Sequence, residues 1–215
     1  DDLPNRLFRG GFPGAALVHG DAHRRLWLDG YVRTYLERDL RDMSSVADLA
    51  DFRRLMRMSA LRTSSMVNQT ELSRDAGLLQ PKVHRYLNLL EATCLLHRVP
   101  GYAVNRTKRL IHAPRLFWCD TGLAAHLAGV ESPAELPDGR MGGALLENLV
   151  LLDLLAWAET RTPRPSVCYW RTATGEEADF VVEVGGRAIP IEVKSSRRAT
   201  LHDARHLQSF LAEYG

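Results

Sequence analysis

Glu177-Ala178-Asp179-Phe180-Val181-Val182-Glu183-Val184-Gly185-Gly186-Arg187-Ala188-Ile189-Pro190-Ile191-Glu192-Val193-Lys194 is the stretch on which the fold turns. Two apolar-rich runs flank a Gly-Gly pair, the signal of a two-residue hairpin. With Val184 opposite Arg187, the register sets Asp179 across from Glu192 and Glu177 across from Lys194. Alternation assigns Ala178, Phe180, Val182, Val184, Ile189, Ile191 and Val193 to one face, to be buried against helices. It assigns Glu177, Asp179, Glu183, Glu192 and Lys194 to the other. The Asp179/Glu192 pair falls at a non-hydrogen-bonded position, where opposed Cβ atoms lie roughly 4.5–5.5 Å apart. Like charges that close are destabilising. A divalent cation would compensate them and would also serve hydrolysis of a phosphodiester.

Lys194 sharpens the expectation. Of 28 basic residues only Lys82, Lys108 and Lys194 are lysine. A compact ammonium can orient a nucleophilic water or stabilise developing negative charge, which the planar guanidinium of arginine does less readily. The competing account is a solvated polar face, with Glu177 and Lys194 as a surface ion pair.

The surroundings are ordered. Residues 142–157 are a strongly apolar helical run, 166–172 read as a strand, and 202–214 have helical spacing. Helix, three strands, helix, together with Glu147, Asp179, Glu192 and Lys194, resembles the PD-(D/E)XK nuclease-like superfamily over residues 142–215. The resemblance implies Mg or Mn held by Asp179, Glu192 and Glu147. It also implies catalysis by Asp179, Glu192 and Lys194, with Lys194 activating water. Two departures bear on activity. The chain ends at Gly215, where that family's next parallel strand would begin, and Pro190 removes a backbone donor from the ExK strand.

Upstream, residues 21–43 and 48–62 read as amphipathic helices. Asn68 followed by Glu71 is a capping-box signal, Gly77 a helix stop, and Gln80-Pro81 a helix start. This is a helix-turn-helix, and residues 95–112 alternate and turn like the wing of a winged helix. Lys82, His84 and Arg85 on its second helix, with Arg106, Lys108 and Arg109 in the wing, are candidates for nucleic-acid phosphate contact. Asp120-Thr121-Gly122 caps a further helix to about Ala128.

The motifs Gly10-Gly11-Phe12-Pro13, the run from Tyr31 to Asp39, the Leu89-Leu90-Glu91 run of the winged helix, Phe117 to Gly122, Glu147-Asn148 and Ile191 to Ser195 occur in order. Together they resemble the C-terminal half of a prokaryotic AAA-type ATPase family whose tail is domain of unknown function 4143. The resemblance implies a P-loop domain before Asp1, binding ATP and magnesium there. This chain carries no G-x-x-x-x-G-K-[ST], so ATP is placed on none of its residues. The chain begins without methionine and reads as part of a longer protein.

The expected class is α+β and α/β: an N-terminal helical and winged-helix domain followed by an αβββα nuclease-like domain whose last strand is missing. The expected division is a helical linker region over 1–65, a winged helix-turn-helix over 66–130, a linker over 131–141 and a restriction-endonuclease-like domain over 142–215. DNA and a second copy of the chain are the expected partners. The alternative function, in a different class, is a catalytically inactive nuclease-like scaffold for oligomerisation or protein binding.

Composition bounds these expectations. The chain has 215 residues, 45% hydrophobic and 25% charged, with a net charge of +2. So small a charge makes any nucleic-acid patch local. Cys94, Cys119 and Cys168 are odd in number and set among apolar residues, as reduced buried thiols of a cytoplasmic protein would be. No run of about 18 apolar residues and no signal peptide is read in the sequence, so neither membrane nor secretion is expected. His202 and His206 stand at i,i+4 without an acidic third ligand.

Overall fold

The computed structural model describes residues 2–34, 49–104, 113–137, 139–196, 198, 200 and 203–214. Its architecture is mixed α and β, with two small antiparallel sheets. Helices α1 (Leu3–Arg9), α2 (Pro13–Ala16) and α3 (Asp21–Thr34) come first. Then follow α4 (Leu49–Ala60), β1 (Ser65–Met66), α5 (Gln69–Ala76), α6 (Gln80–Ala92), β2 (Leu96–Val99), β3 (Arg115–Trp118) and α7 (Thr121–Ala128). A 3₁₀ turn at Pro133–Glu135 leads into α8 (Arg140–Glu159), β4 (Ser166–Arg171), β5 (Glu177–Val184), β6 (Arg187–Ile191) and α9 (Arg205–Tyr214).

Local chemistry sets the boundaries. The Asn68 side chain accepts the backbone N–H groups of Thr70 and Glu71 and starts α5, and Gly77 ends it at φ +62°, the left-handed conformation glycine adopts without strain. Asp120 caps α7 through the N–H of Leu123 at 2.7 Å. The same carboxylate accepts the backbone N–H groups of Gly11 and Phe12, so two motifs 109 residues apart in sequence are one contact. Neither Gly10 nor Gly122 has room for a Cβ there: one would lie 2.3 Å from the Asp120 carboxylate, the other 2.4 Å from the Arg9 carbonyl.

The first sheet has strand order β1-β3-β2, so the strand before α5 pairs with the last strand rather than with its sequence neighbour. Its helices bury Phe52, Leu55, Tyr86, Leu87, Leu90 and Trp118 in a common core with Leu123 and Leu145. The second sheet has order β4-β5-β6. The predicted hairpin register is observed, with Val184 opposite Arg187, Val181 opposite Pro190 and Phe180 opposite Ile191. The ladder ends there, before Glu192.

The predicted division into one apolar and one charged face is corrected. Cys168 pairs with Val181 and Trp170 with Ala178, so Asp179 and Phe180 together oppose Tyr169 alone. This is a β-bulge, and it breaks strict alternation. Phe180, Ile191 and Val193 pack with Leu151 and Leu154 of α8. Ala178 and Val181 pack with Phe210 of α9. Both faces of the sheet are therefore covered, and Asp179 shares the α8 side with Phe180.

Strand β4 and helix α8 join the two sheets. Tyr169 donates its N–H to the Pro100 carbonyl at 3.0 Å and its hydroxyl to the Ala113 carbonyl at 2.6 Å. Asn148 of α8 is fully buried; it accepts from Trp118 N–H and donates to Trp118 C=O, each at 2.8 Å, and accepts from Thr63 Oγ1. The expectation that no run of about 18 apolar residues occurs is corrected by helix α8, which by length and composition alone is apolar enough to cross a membrane. Its buried residues are Gly142, Leu145, Asn148, Leu151 and Ala158, and most of the others are half-buried or exposed. The cysteines are free, as expected, but Cys94 is exposed rather than buried. The part of the expected 21–43 helix beyond Thr34 and the part of the expected wing over 105–112 lie outside the described residues.

Candidate functional site: a carboxylate cluster around Arg115

Arg115 opens β3, whose four residues are all buried. Its guanidinium, 7% exposed, points into the space between β5 and α8. There Nη1 lies 3.4 Å from Glu147 Oε2 and 3.4 Å from Asp179 Oδ1, and Nη2 lies 3.2 Å from Glu177 Oε2. The guanidinium carbon is 5.4 Å from the centre of the Tyr169 ring. Ser64, at φ +65°, donates its hydroxyl to Glu147 Oε2. A non-glycine residue in that conformation is strained, and the loop holds it where its hydroxyl meets the buried carboxylate.

The β5 bulge explains how Asp179 reaches this cluster. It turns the side chain to the α8 side, where Oδ2 also accepts the Val193 N–H at 2.8 Å. Glu192 lies at the edge of the same group. Its Oε1 accepts from Lys194 Nζ at 2.6 Å, and its Oε2 is buried without a hydrogen-bond partner among the described residues. Burial first, then the neighbouring Asp179, pushes the Glu147 carboxyl up to about 7. Burial likewise raises Glu192 against the opposing effect of Lys194, while the hydrogen bond to Glu192 raises Lys194. The structure thus gathers Glu147 and Asp179 around Arg115 and pairs Glu192 with Lys194.

Arg115 and Ser64 were not expected as members. The available signal was a charged residue in Arg115-Leu116-Phe117-Trp118, an otherwise apolar buried strand; such a charge needs a buried partner. The fit to a metal is poor as arranged. Three carboxylates already converge on a guanidinium, and among the described residues no group of three or more His, Cys, Asp or Glu side chains is placed to hold a metal ion.

The nucleic-acid candidates divide. Lys82 is engaged in an ion pair with Asp51, whose carboxyl it holds below the usual range. His84 and Arg85 are exposed on α6, with His84 Nε2 3.0 Å from Asn88 Nδ2 and Arg85 beside the Tyr86 ring. Arg106, Lys108 and Arg109 lie outside the described residues, as does His202.

Fold and site together define a chain in which an arginine from one antiparallel sheet balances the acidic cluster of another. The chain belongs to the family described as domain of unknown function (DUF8612), whose model matches residues 1–134. A second model, domain of unknown function (DUF4143), matches residues 142–215. The chain is 31% identical over 205 residues to uncharacterized proteins of Mycobacterium bovis and Mycobacterium tuberculosis. The match covers 95% of this chain and 45% of each relative, so the chain spans less than half their length. No solved structure matches.

Proposed function

We propose that the chain is the C-terminal portion of a prokaryotic AAA-type ATPase, in which a winged-helix unit associates with DNA and a nuclease-like unit serves as its scaffold. Helix α4, β1, α5, α6, β2 and β3, with sheet order β1-β3-β2, support the winged-helix assignment. Helix α8, three antiparallel strands and α9 support the nuclease-like one. Exposed His84 and Arg85 on α6 support DNA contact. ATP and its magnesium belong to a P-loop domain outside this sequence. The observation that carries the scaffold function is the guanidinium of Arg115 between Glu147, Glu177 and Asp179. A protein cation there supplies the charge balance for which a metal was expected.

A second function, metal-dependent phosphodiester hydrolysis, is favoured by one observation: the buried Glu192 Oε2 beside Lys194, without a partner among the described residues. In that case Asp179, Glu192 and Glu147 would hold Mg or Mn, and Lys194 would orient water. The deciding experiment offers single-stranded, duplex and branched DNA with manganese to the full-length protein and to its Lys194→Ala variant. Binding without cleavage is expected from the scaffold function. Cleavage by the parent that is lost in the variant overturns it.

A further inference from the structure

Helix α6 buries Val83, Tyr86, Leu87 and Leu90 and leaves Gln80, His84, Asn88 and Glu91 exposed, at the spacing of one helical stripe. Three of these exposed side chains belong to a chain of contacts that begins on β2. Arg98 Nη1 lies 3.4 Å from Glu91 Oε2, and Arg98 Nη2 donates to Asn88 Oδ1 at 2.9 Å. Asn88 Nδ2 lies 3.0 Å from His84 Nε2. Each link admits one assignment. A guanidinium has no acceptor, so the Asn88 atom facing it is the carbonyl oxygen. The other arm of Asn88 is then its NH₂ group, which only donates, so His84 Nε2 accepts. A neutral imidazole that accepts at Nε2 carries its proton on Nδ1. The ring is exposed, and among the described residues Nδ1 has no hydrogen-bond partner.

We propose that Asn88 and Arg98 are positioning residues that hold His84 in its Nδ1–H tautomer, so that α6 offers a neutral N–H donor to a phosphate oxygen of duplex DNA. The proposal rests on the DNA contact of α6 put forward above and adds which atom makes it and what fixes that atom. Phosphate oxygens only accept, so the opposite tautomer would meet them with a lone pair. Which ring nitrogen carries the proton is set by the bond the other one makes, and here that bond is anchored through Asn88 to a half-buried arginine on a neighbouring strand. Glu91, the acidic member of the stripe, has its charge balanced by the same Arg98. Arg85, next to His84, is a permanent cation, and the two contacts therefore differ in salt signature. A cation on a phosphate releases a counterion, whereas a neutral donor releases none.

The test uses the full-length protein labelled with ¹⁵N-histidine, with duplex DNA binding followed by fluorescence anisotropy at pH 8, where an ordinary imidazole is neutral. The ring nitrogen shifts of His84, assigned by their loss in His84→Ala, should report the Nδ1–H tautomer. His84→Ala should weaken duplex binding about threefold to tenfold, the worth of one hydrogen bond, and leave the salt slope of affinity unchanged. Asn88→Asp accepts from both neighbours, so it should keep the contact with Arg98 and turn His84 to the Nε2–H form. Its added negative charge weakens binding by itself, and the same substitution made in His84→Ala measures that part. The loss caused by Asn88→Asp should be larger when His84 is present. A parent His84 in the Nε2–H form, unchanged affinity of His84→Ala, or an equal loss in the two backgrounds overturns the proposal. A parent that shows the Nδ1–H form yet binds no duplex sinks the DNA association itself, and with it the ligand assigned to His84, so the two failures are told apart.

Discussion

Val193 donates its backbone N–H to Asp179 Oδ2 at 2.8 Å, two residues past Ile191, the last rung of the β5–β6 ladder. A side chain thus takes over from the main chain where the hairpin opens. One carboxylate both steers the path of the Glu192-Val193-Lys194 segment and anchors Arg115.

Asp179→Ala should therefore destabilise strongly. Asp179 is 5% exposed, and its removal leaves the Arg115 charge short of a partner and the Val193 N–H without an acceptor. Breaking a buried ion pair from one side costs about 3–5 kcal/mol. Asp179→Asn keeps an acceptor for Val193 and should cost less. Urea denaturation of the two variants beside the parent measures the difference.

Glu147 predicts a pH dependence of stability. Its carboxyl rises from the ordinary 4.5 to about 7 on folding. Between those values the folded chain binds a proton that the unfolded chain has released, so this group's contribution falls as pH rises from 4.5 towards 7 and is level outside the window. At roughly 1.4 kcal/mol per pH unit, the whole fall is on the order of 3 kcal/mol. Glu147→Gln should flatten that part of the curve, as read by melting temperature against pH.

Asp120→Ala should release the N-terminal segment. The substitution strands the N–H groups of Gly11, Phe12 and Leu123, one of them a helix cap. Loss of the cap alone is worth about 1 kcal/mol, and each of the two part-buried hydrogen bonds to Gly11 and Phe12 adds about 0.5–1.5 kcal/mol. Gly122→Ala should act at the same place by a different route, since its Cβ would press on the Arg9 carbonyl. In both variants limited proteolysis should cut near residues 9–12 before the parent is cut anywhere.

Asn148→Ala should uncouple α8 from β3. It removes partners from the backbone N–H and C=O of Trp118 and from the Thr63 hydroxyl, all in a dry setting. A loss of about 3 kcal/mol or more follows from leaving several buried polar groups unpaired. Trp118, fully buried in the parent, should report it by a red-shifted emission in the variant.

Arg85→Ala should weaken binding to duplex DNA and lower the salt dependence of affinity by about one unit of slope, the effect of one phosphate contact. Lys82→Ala should leave that slope unchanged, because its ammonium is held by Asp51. Fluorescence anisotropy over a range of salt concentrations separates the two.

The sequence made the second hairpin legible to the residue. Gly185 and Gly186, both at positive φ, are the residues a tight turn of this kind requires, and they fix the pairing of everything on either side. The helix stops at Gly77 and Gly129 and the starts at Asn68 and Asp120 were likewise local in origin. The side-chain faces were not legible. A bulge is an unequal count between two strands, and β4 gave no sign in its own sequence that Tyr169 would oppose two residues of β5.

The candidate site was legible in part, for the same reason. Asp179, Glu192 and Lys194 lie within one hairpin, where spacing translates into position. Arg115 is 64 residues from Asp179 and 32 from Glu147 and meets them only through the packing of β3 against α8 and β5. Short-range pattern determined the helices, the turns and the hairpin register, because these depend on backbone conformation and hydrogen bonds between near neighbours. Only the tertiary structure decided which charge would balance the carboxylates. That outcome depends on which distant side chain is buried beside them, and electrostatic strength rises steeply once water is excluded.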